Sequence, residues 1–308
     1  AEEKTVELVG SGSKVDLGRP ITTDFRLHLS ALEGVDLYEP EELVLRAGAA
    51  TPLSQIRAIL AQQRQQLAFE PPDFSGLYGH VKDQTIGGVL SSNLSGPRRI
   101  KAGAARDHFL GLEGVSGRGG EFKSGGRVVK NGTGYDLCKL MAGSFGTLAA
   151  LTKVTLKVLP APEKIRTVLL FGKTDGEAIK AMSQAAGSPN EVSALAHLPN
   201  DIATRSKVSY VREAGASVTA VRVEGHGPSV EHRTHSMRQL LGKFGEIEEL
   251  HSHNSGAFWL EVANVASLLP NPDAVIWKIS VTPSIAVSYT HLRAHETEAD
   301  LVCRLLLE

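Results

Sequence analysis

The amino-acid sequence predicts an α+β protein with two domains. Short strands of alternating apolar and polar residues, such as residues 151–159, are interspersed with amphipathic helical patterns, such as residues 53–60. The run Pro160, Ala161 and Pro162 interrupts this pattern and has the composition of a linker. The chain has 308 residues, which is enough for one domain on each side of that linker.

Composition argues against several classes of function. The net charge of −1 gives no indication of a nucleic-acid or membrane-surface partner. No apolar stretch is long enough to span a membrane, and no signal peptide is visible. The two cysteines, Cys138 and Cys303, are too few for a disulfide framework and fit a reducing compartment. We therefore expect a cytoplasmic protein.

The first element is a strand at residues 6–9 that leads into a glycine-rich loop. This loop consists of Gly10, Ser11, Gly12, Ser13 and Lys14. Successive backbone N–H groups in such a turn form a concave anion site, and a lysine ammonium would add positive charge. A Rossmann fingerprint needs a third glycine at a helix start, and a P-loop needs Gly-Lys-Ser/Thr. Neither follows, so the loop is a phosphate-type loop of another kind.

The next segment predicts a strand, a helix and a stiff loop. Residues 42–48 alternate and end at a glycine, which indicates a strand. Thr51 is the expected N-cap of the helix at residues 53–60, with Pro52 in its first turn. The proline-rich residues 70–73 then form an extended loop that ends this part of the chain.

A second glycine-rich stretch, residues 85–99, has almost no side-chain bulk. Gly87 and Gly88 are followed by small residues and then by a basic cluster that includes Arg98 and Arg99. A backbone without Cβ atoms can approach a ligand closely. For the glycines, the structural alternative is a tight turn into a buried helix. For the basic cluster, it is a solvated surface loop.

A third informative stretch, residues 128–137, follows a predicted hairpin at residues 109–124. Asp136 is placed to cap a helix at residues 137–141, and Tyr135 offers an aromatic face and a hydroxyl. A helix cap and a core tyrosine are the purely structural alternatives. A small-residue turn that contains Gly146 then leads into the half-buried strand at residues 151–159.

Beyond the linker, strands and helices alternate. Strands are predicted at residues 166–171, 191–198, 217–224 and 246–250, with helices at residues 176–186 and 230–241. Two strand–helix–strand units of this kind favour a small α+β domain with an antiparallel sheet. His232 and His235 have helical spacing but no third ligand, so we interpret them as surface residues and predict no metal site.

Several stretches together resemble a known family. The two glycine loops resemble the FAD-binding domain of the vanillyl-alcohol oxidase / p-cresol methylhydroxylase (PCMH) family. FEPPD at residues 69–73, GPRR at residues 96–99, and the segments at residues 125–148 and 151–160 are similar to glycolate oxidase subunits of that family. The resemblance covers residues 1–160 well and continues weakly to about residue 277.

The resemblance implies a domain organisation and a cofactor site. Residues 1–160 would form an N-terminally truncated PCMH-type FAD-binding domain of two small α/β subdomains. Residues 161–287 would form a partial α+β cap, and residues 288–308 resemble a non-native read-through tail. The cofactor would be non-covalent FAD, since residues 10–14 contain no histidine. The implied FAD contacts are Gly10, Ser11, Gly12, Ser13, Lys14, Pro72, Thr85, Ile86, Gly87, Gly88, Asn93, Ser95, Gly96, Arg98, Lys130, Asn131, Tyr135, Asp136, Gly146 and Leu151.

The resemblance also implies a function. The chain would be the FAD-binding subunit of a glycolate oxidase complex that oxidises a 2-hydroxy acid to a 2-oxo acid. Its expected partners are a second FAD-binding subunit and an iron–sulfur subunit, through which it would be cytoplasmic or peripheral at the inner membrane. No residue is assigned as the catalytic base. The alternatives are a stand-alone D-lactate-type dehydrogenase, a non-catalytic electron-relay subunit and a cell-wall reductase of the UDP-sugar type.

Overall fold

A computed structural model describes residues 4–17, 20–79, 82–127, 134–269, 276 and 278–282. The chain forms two compact units. The first contains Ala1–Gly96 and Gly103–Ala161, and the second contains Pro97–Ala102 and Pro162–Glu308. The predicted tail at residues 288–308 lies outside the described residues. Within the described part of the chain, no helix is both long and apolar enough to cross a membrane.

The first 161 residues contain short elements. Their strands are β1 (Val6–Val9), β2 (Phe25–His28), β3 (Val35–Glu39), β4 (Val44–Gly48), β5 (Gln65–Gln66), β6 (Phe109–Ser116), β7 (Glu121–Gly125), β8 (Ala149–Lys157) and β9 (Leu159–Pro160). Their helices are α1 (Leu53–Gln62), α2 (Ser75–Tyr78), α3 (Ile86–Ser91), α4 (Arg99–Ala102) and α5 (Leu137–Met141). All of these except α4 belong to the first unit.

An antiparallel sheet organises the first unit. Its strand order is β3-β4-β8-β6-β7, while β1 and β2 form a separate parallel pair. Apolar residues of α1 and α3 pack on this sheet and exclude water from its centre. Fully buried members of that core are Leu45, Leu53, Ile56, Ile86, Leu90 and Leu156.

Helix α1 begins at Leu53, as the sequence predicts, but its cap is different. The N-cap residue is Pro52, which has no side chain that can cap. The prediction that Thr51 caps this helix is wrong, because the Thr51 hydroxyl donates instead to the Gly48 carbonyl at 2.7 Å. A distant residue satisfies the helix start, since the Ser54 N–H donates to Asp83 Oδ2 at 3.0 Å. The cap is therefore supplied by the segment that precedes α3.

Helix α3 approaches β4 more closely than any side chain would allow. A Cβ built on Gly87 would lie 2.7 Å from the Ala49 carbonyl oxygen and 2.8 Å from the Ala49 Cβ. Only glycine permits this contact, in which the Gly87 N–H donates to the Ala49 carbonyl at 2.8 Å. The contact fixes the start of α3 at the end of β4.

The second unit is a sheet covered on both faces. Its strands are β10 (Lys164–Phe171), β11 (Ala194–Leu198), β12 (Val218–Gly225) and β13 (Ile247–Leu250), paired in the order β11-β12-β10-β13 and antiparallel as predicted. Its further helices are α6 (Asp175–Ala186), α7 (Asn200–Ala203), α8 (Ser209–Arg212), α9 (Gly227–Leu241) and α10 (Ser252–Ala263). Separate apolar clusters fill the α6/α9 face and the α10 face.

The segment Pro97–Ala102 belongs to the second unit although it lies between two parts of the first in sequence. Its helix α4 packs against β11, which is an edge strand of the sheet. The buried Arg98 guanidinium donates to both carboxylate oxygens of Glu224 on β12, at 2.5 and 2.9 Å. This ion pair ties the segment to the sheet of the second unit.

The contact of Gly87 with Ala49 predicts a specific loss of stability. Gly87→Ala should lower the free energy of unfolding by about 1–3 kcal/mol, because the added methyl overpacks a rigid backbone contact. Gly117→Ala is the matched control: its Cβ would meet no atom within 4 Å, so it should change stability by less than about 0.5 kcal/mol. Urea denaturation of both variants measures the difference, and equal stability of the two would contradict this packing argument.

Candidate functional site

The two glycine-rich stretches predicted from the sequence meet in the first unit. A Cβ built on Gly10 would lie 2.7 Å from Thr85 Oγ1, and one built on Gly88 would lie 3.6 Å from Lys14 Nζ. Gly12 has a φ of +78°, a backbone conformation that side chains rarely adopt. Residues 10–14 therefore lie against the start of α3, where Thr85 is the N-cap and accepts from the Gly88 N–H at 3.3 Å.

Lys14 brings a partly buried ammonium to this junction. Its Nζ lies 3.4 Å from the hydroxyl of the buried Ser13 and faces Gly88. Burial lowers the pKa of Lys14 to about 8, against the opposing attraction of Asp73 and Asp83. An anion bound here would replace lost hydration and favour the charged form of the lysine.

The two acidic neighbours of Lys14 also hold backbone groups. Asp83 Oδ2 accepts from the Ser54 N–H at the start of α1, and Asp73 Oδ1 accepts from the Ser75 N–H at 2.9 Å. These carboxylates thus position the segment between α1 and α3. They attract Lys14 and leave its ammonium beside the glycine backbone.

A second lysine, Lys82, reaches the same loop and was missed in the sequence. Its Nζ would lie 3.8 Å from a Cβ built on Gly12. Its own side chain is exposed. Sequence reasoning gave no signal for it, because an isolated polar residue ahead of Thr85 matches no motif. Only the folded contact of residues 10–14 with the segment before α3 identifies this lysine.

A second group of predicted site residues forms a backbone framework beside the glycine loops. The Pro72 carbonyl accepts from Gln84 Nε2 at 2.6 Å, and a Cβ on Gly96 would lie 2.5 Å from the Glu70 carbonyl oxygen. Asn93 Oδ1 accepts from the Arg106 N–H, and Ser95 Oγ accepts from the Ala105 N–H, both at 2.9 Å. The Asn93 and Ser95 side chains therefore hold the loop that leads to β6.

The remaining predicted residues are more scattered. Asp136 caps α5 as predicted, accepting from the Lys139 N–H, whereas Tyr135 is 93% exposed rather than a core residue. Gly146 has a φ of +75° and lies against Leu8. Ile86 and Leu151 are core residues.

Arg98 is paired with Glu224 in the second unit, and its assignment to the cofactor stays a prediction. Lys130 and Asn131 lie outside the described residues.

Other reactive side chains among the described residues are less suited to a functional role. Burial raises the pKa of the Cys138 thiol to about 11, so this cysteine is a protonated core residue at neutral pH. His232 and His235 are exposed on α9. Within the described ranges, no cluster of three or more histidine, cysteine, aspartate or glutamate side chains could hold a metal ion.

The junction of the glycine loops fits a phosphate-bearing cofactor. Gly12 and Gly88 leave no Cβ between the backbone and a ligand, whereas the absence of a Cβ at Gly10 makes room for Thr85. Lys14 supplies positive charge at the same place. A dinucleotide diphosphate has the charge and narrow shape that such a cradle accepts. The geometry therefore supports binding and orientation of a cofactor, and it assigns no proton acceptor.

Comparison with known proteins also indicates a cofactor-binding domain. A family model described as an FAD binding domain matches residues 1–125. Glycolate oxidase subunit GlcE of Escherichia coli is 32% identical over 287 residues, which cover 91% of this chain and 70% of that protein. Glycolate oxidase subunit GlcD of Bacillus subtilis is 35% identical over 57% of this chain and 37% of that protein. The D-lactate dehydrogenase of Archaeoglobus fulgidus is 29% identical over 60% of this chain and 41% of that protein.

A solved structure confirms the predicted fold. Alkyldihydroxyacetonephosphate synthase superposes on 86% of this chain, with a TM-score of 0.66 and 17% sequence identity. The chain spans 50% of that protein. At this level of identity the similarity shows the fold alone.

Gly88 provides a test of the cradle that is separate from folding. Gly88→Val should reduce FAD affinity by about 100-fold or more, because its methyl groups extend toward the Lys14 ammonium and occupy the space for phosphate. The expected reason is space alone, since the φ of Gly88 is not positive. Fluorescence titration with FAD measures the loss, and circular dichroism checks the fold. A folded variant with parental affinity would show that the loop is misplaced.

The low pKa of Lys14 predicts a pH-dependent affinity. Without a ligand, Lys14 loses its proton near pH 8. A bound diphosphate should raise the pKa of Lys14, so binding of FAD above pH 8 is coupled to uptake of a proton. FAD affinity should therefore fall as the pH rises from about 8 to 10 and stay nearly constant from 6 to 7.5. Lys14→Arg, whose guanidinium stays charged, should flatten this profile. An unchanged slope in that variant would assign the titration to another group.

Proposed function

We propose a function from the family of this chain, which belongs to the PCMH-type FAD-binding family that includes glycolate oxidase subunit GlcE. As part of a complex, the chain oxidises a 2-hydroxy acid. Glycolate is the proposed substrate and glyoxylate the product. The observation that carries this proposal is the GlcE alignment, which extends through both units of the chain. The FAD-binding domain alone would fit many reactions.

The proposed mechanism divides the work between cofactor and protein. Bound FAD would supply the hydride-accepting chemistry for oxidation of the hydroxyl-bearing carbon of the substrate. The chain would hold and orient the cofactor: the backbone of Gly10, Gly12 and Gly88 would line the place of the diphosphate, and the Lys14 ammonium would balance its charge. Asp73 and Asp83 support this arrangement by fixing the segment between α1 and α3. The electrons would then leave through partner subunits.

The proposed partners are a second FAD-binding subunit and an iron–sulfur subunit. One observation supports the first of them. The chain is similar to two differently named glycolate oxidase subunits, GlcE and GlcD. Two related flavoproteins in one complex would account for both. The iron–sulfur subunit is proposed because electrons from a flavin need an acceptor.

A second candidate function is a stand-alone dehydrogenase for D-lactate. The similarity to a D-lactate dehydrogenase favours it, since that protein's name does not describe a subunit. The similarity covers 60% of this chain, against 91% for GlcE, and we therefore rank it second. A non-catalytic flavin-binding relay subunit is the third candidate.

The subunit proposal predicts little activity for the chain by itself. Purified with FAD, it should reduce an artificial dye with glycolate or D-lactate at far less than about 1 per second, a rate ordinary for an enzyme. Co-expression with the second FAD-binding subunit and the iron–sulfur subunit should raise glycolate turnover by at least about 100-fold, as the missing electron path is supplied.

The assay separates the candidates. Turnover of D-lactate by the isolated chain at about 1–10 per second would support the stand-alone dehydrogenase instead. Full activity of the complex when this chain carries Gly88→Val and no bound FAD would indicate a structural subunit whose flavin takes no part in the electron path. Absence of activity with either substrate in a complex that contains FAD in both flavoproteins would reject the 2-hydroxy-acid proposal.

A further inference from the structure

Two lysines approach the first glycine loop, residues 10–14, at different positions. Lys14 belongs to the loop itself, and its Nζ is directed to Gly88 at the start of α3. Lys82 comes from the segment before α3, and its Nζ is directed to Gly12. Gly12 and Gly88 are also two positions where the absence of a Cβ leaves space beside the backbone. Both ammonium groups therefore border the proposed cofactor cradle.

Nearby acidic groups do not cancel this arrangement. Asp73 and Asp83 attract Lys14, yet each also accepts a hydrogen bond from a backbone N–H of its own surroundings, at Ser75 and Ser54. Asp16 lies close enough to Tyr78 to raise the pKa of that phenol, after the larger effect of burial. Asp73 and Asp83 are therefore partly neutralised by backbone donors.

The two lysines differ in how freely they can move. Lys14 is partly buried, so its ammonium has a restricted position and has already lost hydration. Lys82 is exposed, so its flexible stem can follow an incoming anion. A diphosphate carries two negative charges on neighbouring phosphates, and a single ammonium balances only one of them.

We propose that Lys82 acts with Lys14 as a two-cation clamp across Gly12 that binds the diphosphate of a dinucleotide cofactor. The clamp rests on the proposed function only in that the cofactor is FAD. Lys14 provides the fixed charge inside the cradle. Lys82 closes on the diphosphate from the solvent side and slows its release.

Lys82→Gln tests the clamp, with Lys123→Gln as the matched control. Lys123 is another exposed lysine of the first unit and pairs with Glu113 on β6. Affinities for FAD, ADP and riboflavin are measured by titration at 50 and 300 mM salt. For Lys82→Gln, affinity for FAD and for ADP should fall by about 10-fold at low salt, as expected for loss of a charge-assisted contact. Riboflavin, which has no phosphate, should bind unchanged.

Salt and a conservative variant distinguish a charge from a structural role. The FAD affinity of Lys82→Gln should depend less on salt than that of the parent, and Lys82→Arg should restore at least half of the lost affinity on a logarithmic scale. Lys123→Gln should match the parent throughout. Loss of riboflavin binding equal to the loss of FAD binding would overturn the clamp, as would a folded Lys82→Gln protein with parental FAD and ADP affinity.

The ligand set separates this inference from the proposed function. A parent protein that binds ADP with Lys82-dependent affinity but does not bind FAD would retain the clamp and contradict the flavin proposal. A parent that binds FAD with an affinity that does not depend on Lys82 would contradict the clamp and retain the flavin proposal. A parent that binds neither would overturn both. Thermal melting of each variant confirms that an affinity change is measured on folded protein.

Discussion

The contact between Gly87 and Ala49 is the constraint on which the candidate site depends. The Gly87 and Ile86 N–H groups donate to the carbonyls of Ala49 and Thr51, at 2.8 and 3.0 Å. These bonds hold the start of α3 against the end of β4. That position places Thr85 beside Gly10 and directs Gly88 toward Lys14. Adjacent glycines thus differ in role, since Gly87 permits packing within the fold and Gly88 leaves space between the backbone and the Lys14 ammonium.

Local patterns in the sequence predicted most of the elements. Alternation identified β8 and the antiparallel sheet of the second unit, and Asp136 was correctly predicted to cap α5. Helix α10 was not predicted, because its first turn contains serine, histidine and asparagine and is followed by Gly256. All of these are poor helix formers. The prediction failed for the cap of α1, since the group that satisfies this helix is Asp83, 29 residues from Ser54.

Long-range partners explain what the sequence could not show of the site. Arg98 follows a glycine loop and so suggested a phosphate ligand, which stays a prediction. The structure adds a carboxylate partner 126 residues away on β12. Burial tends to raise the pKa of Glu224, yet Arg222 and Arg98 outweigh this effect and hold it below its usual value. Lys82 is the converse case: an unremarkable lysine in sequence becomes relevant only because Gly12 lies beside it.

The buried charges of the second unit bear on where the catalytic base could be. Glu224 is ionised between arginines, and the buried Arg222 stacks on Trp259 and donates to Ser193. His197 is buried next to Thr219 and Asp175, and burial lowers its pKa. A base needs an accessible lone pair at a pKa near the working pH. Glu224, engaged with two arginines, and His197, enclosed beside Thr219 and Asp175, serve the fold instead.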